Sequence, residues 1–473
     1  MNHRLMKKTG LLLLILFLFQ ISVAQELTLK KGAVIDSIAV SDTIAESYSL
    51  YLPNGYAPNT AWPVIFVFDP EGRGRTAAQL FRKAGEEQGY VIVSSNDIDK
   101  RESLLENTRV ATRLLNTVLN MFLIDTNQIY MAGLGDGGRV ASVMPAVYSR
   151  VQGVLAVSDT WLNTDFIEKG ARYSFVGLAG YNDYRLRLLD QTADYLRKQG
   201  MPARTYNYNG GQEWPEFEMI SNALGTFTLE AMDKGFRQKD PGMVEELYAA
   251  ELETAERLRR TRQDYKAHEL LSKMLDKYAR YGKKQELEQR IKDLSRTKIF
   301  RDQRRQYNRA AATEDEYREQ YLYFFNEDVF RANFENLGWW NQQIKELEEL
   351  QQGNNPAEAE MAHRVQGLLR TLATNSFKDL KERNATNDQL VFTAILQTIF
   401  DKENPEGYLN IISISAGDGD YYTALLYLED LLKTGYDDLE ALYNIPRTLD
   451  LKLSPEFNKI IEEYLGESKY YKI

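Results

Sequence analysis

The chain reads as an α/β fold, a mostly parallel sheet with helices on both faces, followed by an all-α region of helical hairpins. Three observations predict this. Up to residue 235, short runs that are apolar on both faces alternate with stretches of 3.6-residue apolar spacing. Beyond it, helical spacing continues with few strand signals. Turn residues thin out at the same place: residues 25–235 hold 19 glycines and 7 prolines, the slightly longer 236–473 only 10 and 5. The expected division is therefore a leader over 1–24, one domain over 25–235 and a second over 236–473.

Taken in order, the first segment joins Arg4, Lys7 and Lys8 to the apolar run Leu11–Phe19 and to the small residues Ser22 and Ala24. That is the pattern of a secretory signal peptide cleaved after Ala24, with an apolar stretch too short to span a bilayer. The chain is accordingly expected in the periplasm or secreted, and not as an integral membrane protein. Residues 33–40 and 47–52 alternate as an antiparallel hairpin should. The runs at 63–68, 90–93, 128–132, 153–157 and 174–179 are apolar on both faces, as buried parallel strands are. Between them, 77–88, 103–122, 139–148 and 184–198 carry helical spacing. The second part has helical patterns over 244–295, 310–352, 357–381, 388–400 and from 406 to the end.

Composition excludes much chemistry. There is no cysteine, so disulfides, thiolate metal sites, thiol catalysis and a lipid-modified N-terminal cysteine are all ruled out. The histidines are His3, in the leader, and His268 and His363. Neither of the last two has another His or Cys at metal-binding spacing, so no metal and no cofactor is expected. A net charge of −10 argues against nucleic acid as a partner. The charge is uneven, +11 over 257–309 and −15 over 310–473. Successive helices with solvated faces of opposite sign account for this; a basic surface for an acidic partner or anionic lipid is the sharper alternative.

The segment Gln128-Ile-Tyr-Met-Ala-Gly-Leu-Gly-Asp-Gly-Gly-Arg-Val-Ala-Ser142 runs from a strand through a glycine-rich turn into a helix. Here the chain resembles the α/β-hydrolase superfamily, especially its exported esterase-like members, whose nucleophile elbow reads Gly-x-Ser-x-Gly. The likeness covers residues 30–235. It is carried also by Tyr48-Ser-Leu-Tyr-Leu-Pro53, by Asp69-Pro-Glu-Gly-Arg-Gly74 where an oxyanion loop would lie, with Asp69 and Gly72 in it, and by Gly210-Gly-Gln-Glu-Trp-Pro215. The resemblance puts the nucleophile at Gly135, between Gly133 and Gly137, the acid at Asp183 and the base at Gln212. Glycine has no nucleophile and glutamine cannot take a proton from a hydroxyl, so two of the three roles are empty. Residues 25–235 contain no histidine, and no shift of register restores a Ser-His-Asp triad.

Three arrangements would restore chemistry. His268 or His363 could serve if the helical region folded over the elbow. Asp136 could be an aspartyl nucleophile in the register Leu134-x-Asp136-x-Gly138, although Leu134 is bulky for the tight turn. Asp136 and Asp183 could act as a carboxylate pair. Otherwise Asp136 is an acid at a helix N-terminus and Asp183 caps the next helix.

In the second part, Gly419-Asp-Tyr-Tyr-Thr-Ala-Leu-Leu-Tyr-Leu-Glu-Asp-Leu-Leu432 resembles half of a tetratricopeptide repeat, echoed by Gln263-Asp-Tyr-Lys-Ala-His-Glu-Leu-Leu271. The aromatics Tyr317, Tyr321, Tyr323, Phe324, Phe325, Trp339 and Trp340 read as core between helix pairs, with a carbohydrate or peptide platform as the alternative. Together these readings give a catalytically degenerate hydrolase homologue that binds or scaffolds an envelope protein. The alternatives are a serine esterase or peptidase with displaced residues, and a glycan-binding accessory protein.

Overall fold

A computed structural model describes residues 30–168, 170 and 172–470; the expected signal peptide lies outside them. Strands β1 (Val34–Ser41) and β2 (Ile44–Tyr51) form the antiparallel hairpin, and β2 also runs antiparallel to β4 (Val91–Ser95). The rest of the sheet is parallel: β3 (Trp62–Phe68), β5 (Ile124–Leu134), β6 (Val151–Val157), β7 (Ser174–Gly180) and β8 (Ala203–Tyr208). The order is β1-β2-β4-β3-β5-β6-β7-β8. This is the α/β-hydrolase-like architecture that the resemblance implied. Strand β8 lies outside the apolar runs, because its Ala-Arg-Thr-Tyr-Asn-Tyr sequence at the sheet edge buries Tyr206 and Tyr208 but places Asn207 between them and Arg204 and Thr205 ahead of them.

From β3 the chain moves outward to β4 and then returns to the other side of β3 as β5. The sheet's topological switch point therefore lies between β3 and β5, and open α/β sheets bind ligands beyond the carboxyl ends of the strands at such a point. Asp69 follows β3 and Gly135 follows β5, so both stand at that switch point.

Helices α1 (Gly74–Gln88), α2 (Leu104–Met121), α3 (Asp136–Val147), α4 (Thr164–Glu168), α5 (Leu186–Lys198) and α6 (Phe217–Asp233) cover the sheet. One face is buried under Leu114 and Leu115 of α2, Val140 and Met144 of α3 and Leu189 of α5. The opposite face lies under Phe81 of α1 and Ile220, Leu224 and Phe227 of α6. That second apolar cluster does not stop at residue 235. It continues through Leu247 and Tyr248 of α7 (Pro241–Arg260), Leu271 and Met274 of α8 (Asp264–Tyr278) and Leu287 and Leu294 of α9 (Lys284–Ser295). Loss of glycine marks the end of the strands; the core runs on.

The rest of the described chain is helical: α10 (Lys298–Arg331), α11 (Leu337–Gln351), α12 (Pro356–Glu382), α13 (Asn387–Phe400), α14 (Pro405–Gly417), α15 (Tyr421–Lys433), then α16 (Leu439–Tyr443), α17 (Leu449–Lys452) and α18 (Pro455–Leu465). The pattern over 310–352 is two helices. Helix α10 begins earlier, where Thr297 accepts the Phe300 N–H, and ends at Ala332 with a left-handed φ of 47°. Trp340 and Tyr321 are fully enclosed, Trp340 donating to Asp328 at 2.9 Å, so most of the aromatic cluster is core; Tyr323 is exposed. At the 419–432 motif Gly419 turns with φ 82°, Asp420 caps α15 and Ala424 is buried between helices. No helix among the described residues is long and apolar enough to cross a membrane.

Candidate functional site

The elbow between β5 and α3 turns on Gly135, with φ 53° and ψ −120°, a conformation that residues with a Cβ adopt only under strain. Its N–H donates to the Val157 carbonyl at 2.9 Å and its carbonyl accepts from Arg139 N–H. The neighbouring glycines are demanded by sterics. A Cβ at Gly133 would strike the Gly137 carbonyl, one at Gly137 the Phe68 carbonyl at the end of β3, and one at Gly138 the Asp159 carbonyl. Gly135 differs: an added Cβ would have Pro70 at 4.0 Å as its nearest neighbour. The turn thus keeps open space for a side chain, and the chain supplies none. Pro70 also has no N–H to offer a ligand over Gly135.

Three loops converge here. Asp69, buried after β3, accepts the Arg73 guanidinium at 3.1 and 3.2 Å, the Glu71 N–H, and the Trp214 indole at 2.7 Å. Gly72 closes that turn with its N–H on the Asp69 carbonyl. Two residues before Trp214, Gln212 donates to Asp183 at 3.1 Å. The acid and base positions implied by the resemblance are therefore in direct contact, with an amide where a base would stand. Asp183 is fully buried. Burial raises its carboxyl above the usual range, opposed by hydrogen bonds from the Arg185 N–H at 2.9 Å and from Gln212. The Arg185 contact lies one residue ahead of α5 and orders the turn into that helix.

Asp136 is the first residue of α3, pairs with Arg139 at 3.3 Å and is partly exposed. The residue in the positive-φ elbow conformation is Gly135, and Asp136 already belongs to the helix. Neither histidine reaches the site by a hydrogen bond among the described residues: His268 stacks on Phe300 at 4.5 Å and His363 is exposed on α12.

Sequence reasoning missed Asp159. It follows β6 in Ser158-Asp159-Thr160, where its carboxylate accepts the Thr160 N–H at 2.7 Å and meets Arg185 at 3.3 Å. Burial, only partly offset by Arg185, pushes it up to about 6. Polar residues directly after a run of buried apolar ones were the available signal. Arg185 thus touches two acids, Asp183 through its N–H and Asp159 through its guanidinium.

The acid loop is also gripped from the helical region. Arg364 on α12 donates to the Tyr181 carbonyl at 2.6 Å and Arg318 on α10 to the Tyr184 carbonyl at 2.9 Å. Both arginines converge on Glu314, 1% exposed, which also meets Arg187 of α5 at 3.4 Å. Among the described residues no group of three or more His, Cys, Asp or Glu is placed to hold a metal.

No family model matches the chain, and no curated protein matches it in sequence. Solved structures do. An esterase from Pyrobaculum calidifontis aligns at 14% identity with a TM-score of 0.35, over 43% of this chain and 87% of its own. A fluorophosphonate-binding serine hydrolase of Staphylococcus aureus aligns at 13% and 0.35, over 42% and 99%. Est1E from Butyrivibrio proteoclasticus aligns at 13% and 0.35, over 43% and 100%. Likeness at this level says nothing of chemistry, which has to be argued from the residues above.

Proposed function

We propose that this is an exported, non-catalytic α/β-hydrolase homologue whose hydrolase-like part, 25–235, and tetratricopeptide-like helical part, 236–473, work together as a protein-binding scaffold of the cell envelope. The observation that carries the reading is the elbow itself, open space above a glycine; at the acid position, Asp183 has Gln212 as its partner. Serine-hydrolase chemistry needs a nucleophile and a base to activate it, and Gly135 and Gln212, which hold those positions, can be neither. Further support comes from the acid loop, whose carbonyls are occupied by Arg318 and Arg364 and so serve to hold the helices. The helical part adds a groove of about 700 Å³, with Phe377, Leu390 and Ile414 against Asn384, Asn410 and Asn444. Apolar floor with amide edges suits an extended peptide, since amides pair with backbone groups. An envelope protein is the partner this favours over a glycan; neither a cofactor nor nucleic acid enters the reading.

One observation favours a residual hydrolase: Asp159, poised at about 6, is within the range of a general base. Fluorophosphonate labelling and short-chain aryl ester assays separate the two. The scaffold reading expects no labelling and no turnover; labelling abolished by a single serine substitution overturns it. Co-purification from envelope extract beside a glycan array then distinguishes a protein partner from a glycan.

A further inference from the structure

A second cavity lies away from the elbow, where the carboxyl end of β8 meets α6, α7 and α8. It encloses about 100 Å³, room for a molecule of a few heavy atoms. Two of its lining groups lack the partners such groups normally have. The Asn207 Oδ1 is enclosed and unpartnered, a costly state for a buried amide oxygen. Lys273 of α8 makes no hydrogen bond or ion pair among the described residues; its ammonium stands 5.9 Å from the centroid of the Tyr206 ring. Desolvation pulls that ammonium below the usual lysine range, against the pull of Glu269 and Asp190. Its neighbours Lys266 and Glu269 are already matched. Lys266 reaches Glu360 and Asn209, each at 2.6 Å, and Glu269 accepts the Tyr181 hydroxyl at 2.8 Å.

We propose that this cavity is a binding site for a small carboxylic acid carrying an adjacent N–H or O–H donor. The carboxylate takes Lys273, and the donor takes the Asn207 Oδ1. This goes beyond the scaffold reading and does not depend on it, since none of these residues belongs to the elbow. The same chemistry is offered by a free α-amino or α-hydroxy acid and by the C-terminus of a peptide.

Titration calorimetry on the whole protein with L-alanine, L-lactate, N-acetyl-alanyl-alanine and propionate tests it. Saturable binding of one of the donor-bearing acids, at least about tenfold tighter than propionate, is expected, a ratio that one charge-assisted or buried hydrogen bond supplies. Preference for the blocked dipeptide identifies a peptide terminus, and preference for alanine or lactate a free acid. Lys273→Met should weaken every acid, whereas Asn207→Leu should lower the donor-bearing acids to the level of propionate and leave propionate itself unchanged. Melting curves check that both variants fold. No saturable binding in any arm, or binding that folded variants leave unaltered, overturns the assignment.

Discussion

Glu314→Gln tests whether the acid loop is a structural joint. Glutamine keeps the shape and removes the charge, so the guanidinium of Arg364, Nε and Nη2 at 2.9 and 2.6 Å from one carboxylate oxygen, loses its counter-ion in a site 1% exposed. Breaking one member of a buried pair costs about 3–5 kcal/mol because the survivor stays charged and desolvated. Arg318 and Arg187 have side chains 20% and 29% exposed and can turn toward water, so Arg364 sets most of that cost. The measure is urea unfolding of Glu314→Gln, Arg364→Met and the double variant, with the slope checked for constancy. In the Arg364→Met background the Glu314→Gln cost should shrink by about 1–3 kcal/mol, the coupling expected of groups in one network. Amide hydrogen exchange at 181–186 should accelerate in both single variants, since Arg318 and Arg364 hold that loop's carbonyls. A cost under about 0.5 kcal/mol, the scale of a surface change, or strict additivity, would refute the reasoning.

Three further outcomes follow from the site. Gly135→Ala should cost about 1–3 kcal/mol from backbone strain alone, and Gly137→Ala clearly more, because its Cβ meets the Phe68 carbonyl in the sheet; equal unfolding midpoints would contradict the open space at 135. Gly135→Ser with Gln212→His should yield aryl esterase activity above either single variant if the scaffold has kept its geometry. Asp159 has a folded pKa of about 6 against an ordinary 3.8, so folding takes up a proton between these values and stability falls as pH rises through them. About two pH units at 1.36 kcal/mol each make this about 3 kcal/mol. Urea midpoints at pH 4 and pH 7 should therefore drop further in the unaltered protein than in Asp159→Asn.

Lys277 and Glu251, paired at 3.0 Å and both buried where α7 and α8 meet the sheet face, give the last expectation. Lys277→Met should destabilise by about 3–5 kcal/mol, and adding Glu251→Leu should restore much of it. Calorimetric melting of the pair of variants checks this.

The sequence by itself determined the alternation that builds the sheet, the helices around it, and the absence of an imidazole from 25–235, because strand burial, helical spacing and residue identity are local facts. It also pointed to the turn at Gly135, since glycine-rich turns announce themselves, whereas the contact of Gln212 with Asp183 came from the fold. Strand β8 escaped it, as an edge strand can stay polar on one side. Asp159 escaped it too: a carboxylate after a strand is unremarkable until Arg185, 26 residues on, is brought to 3.3 Å. Only the tertiary structure decided that the core crosses residue 235, that Glu314 ties two arginines to the acid loop, and that Lys273 and Asn207 share a cavity. Each of these depends on groups distant in the chain being held together by packing, and spacing along a sequence carries no record of that.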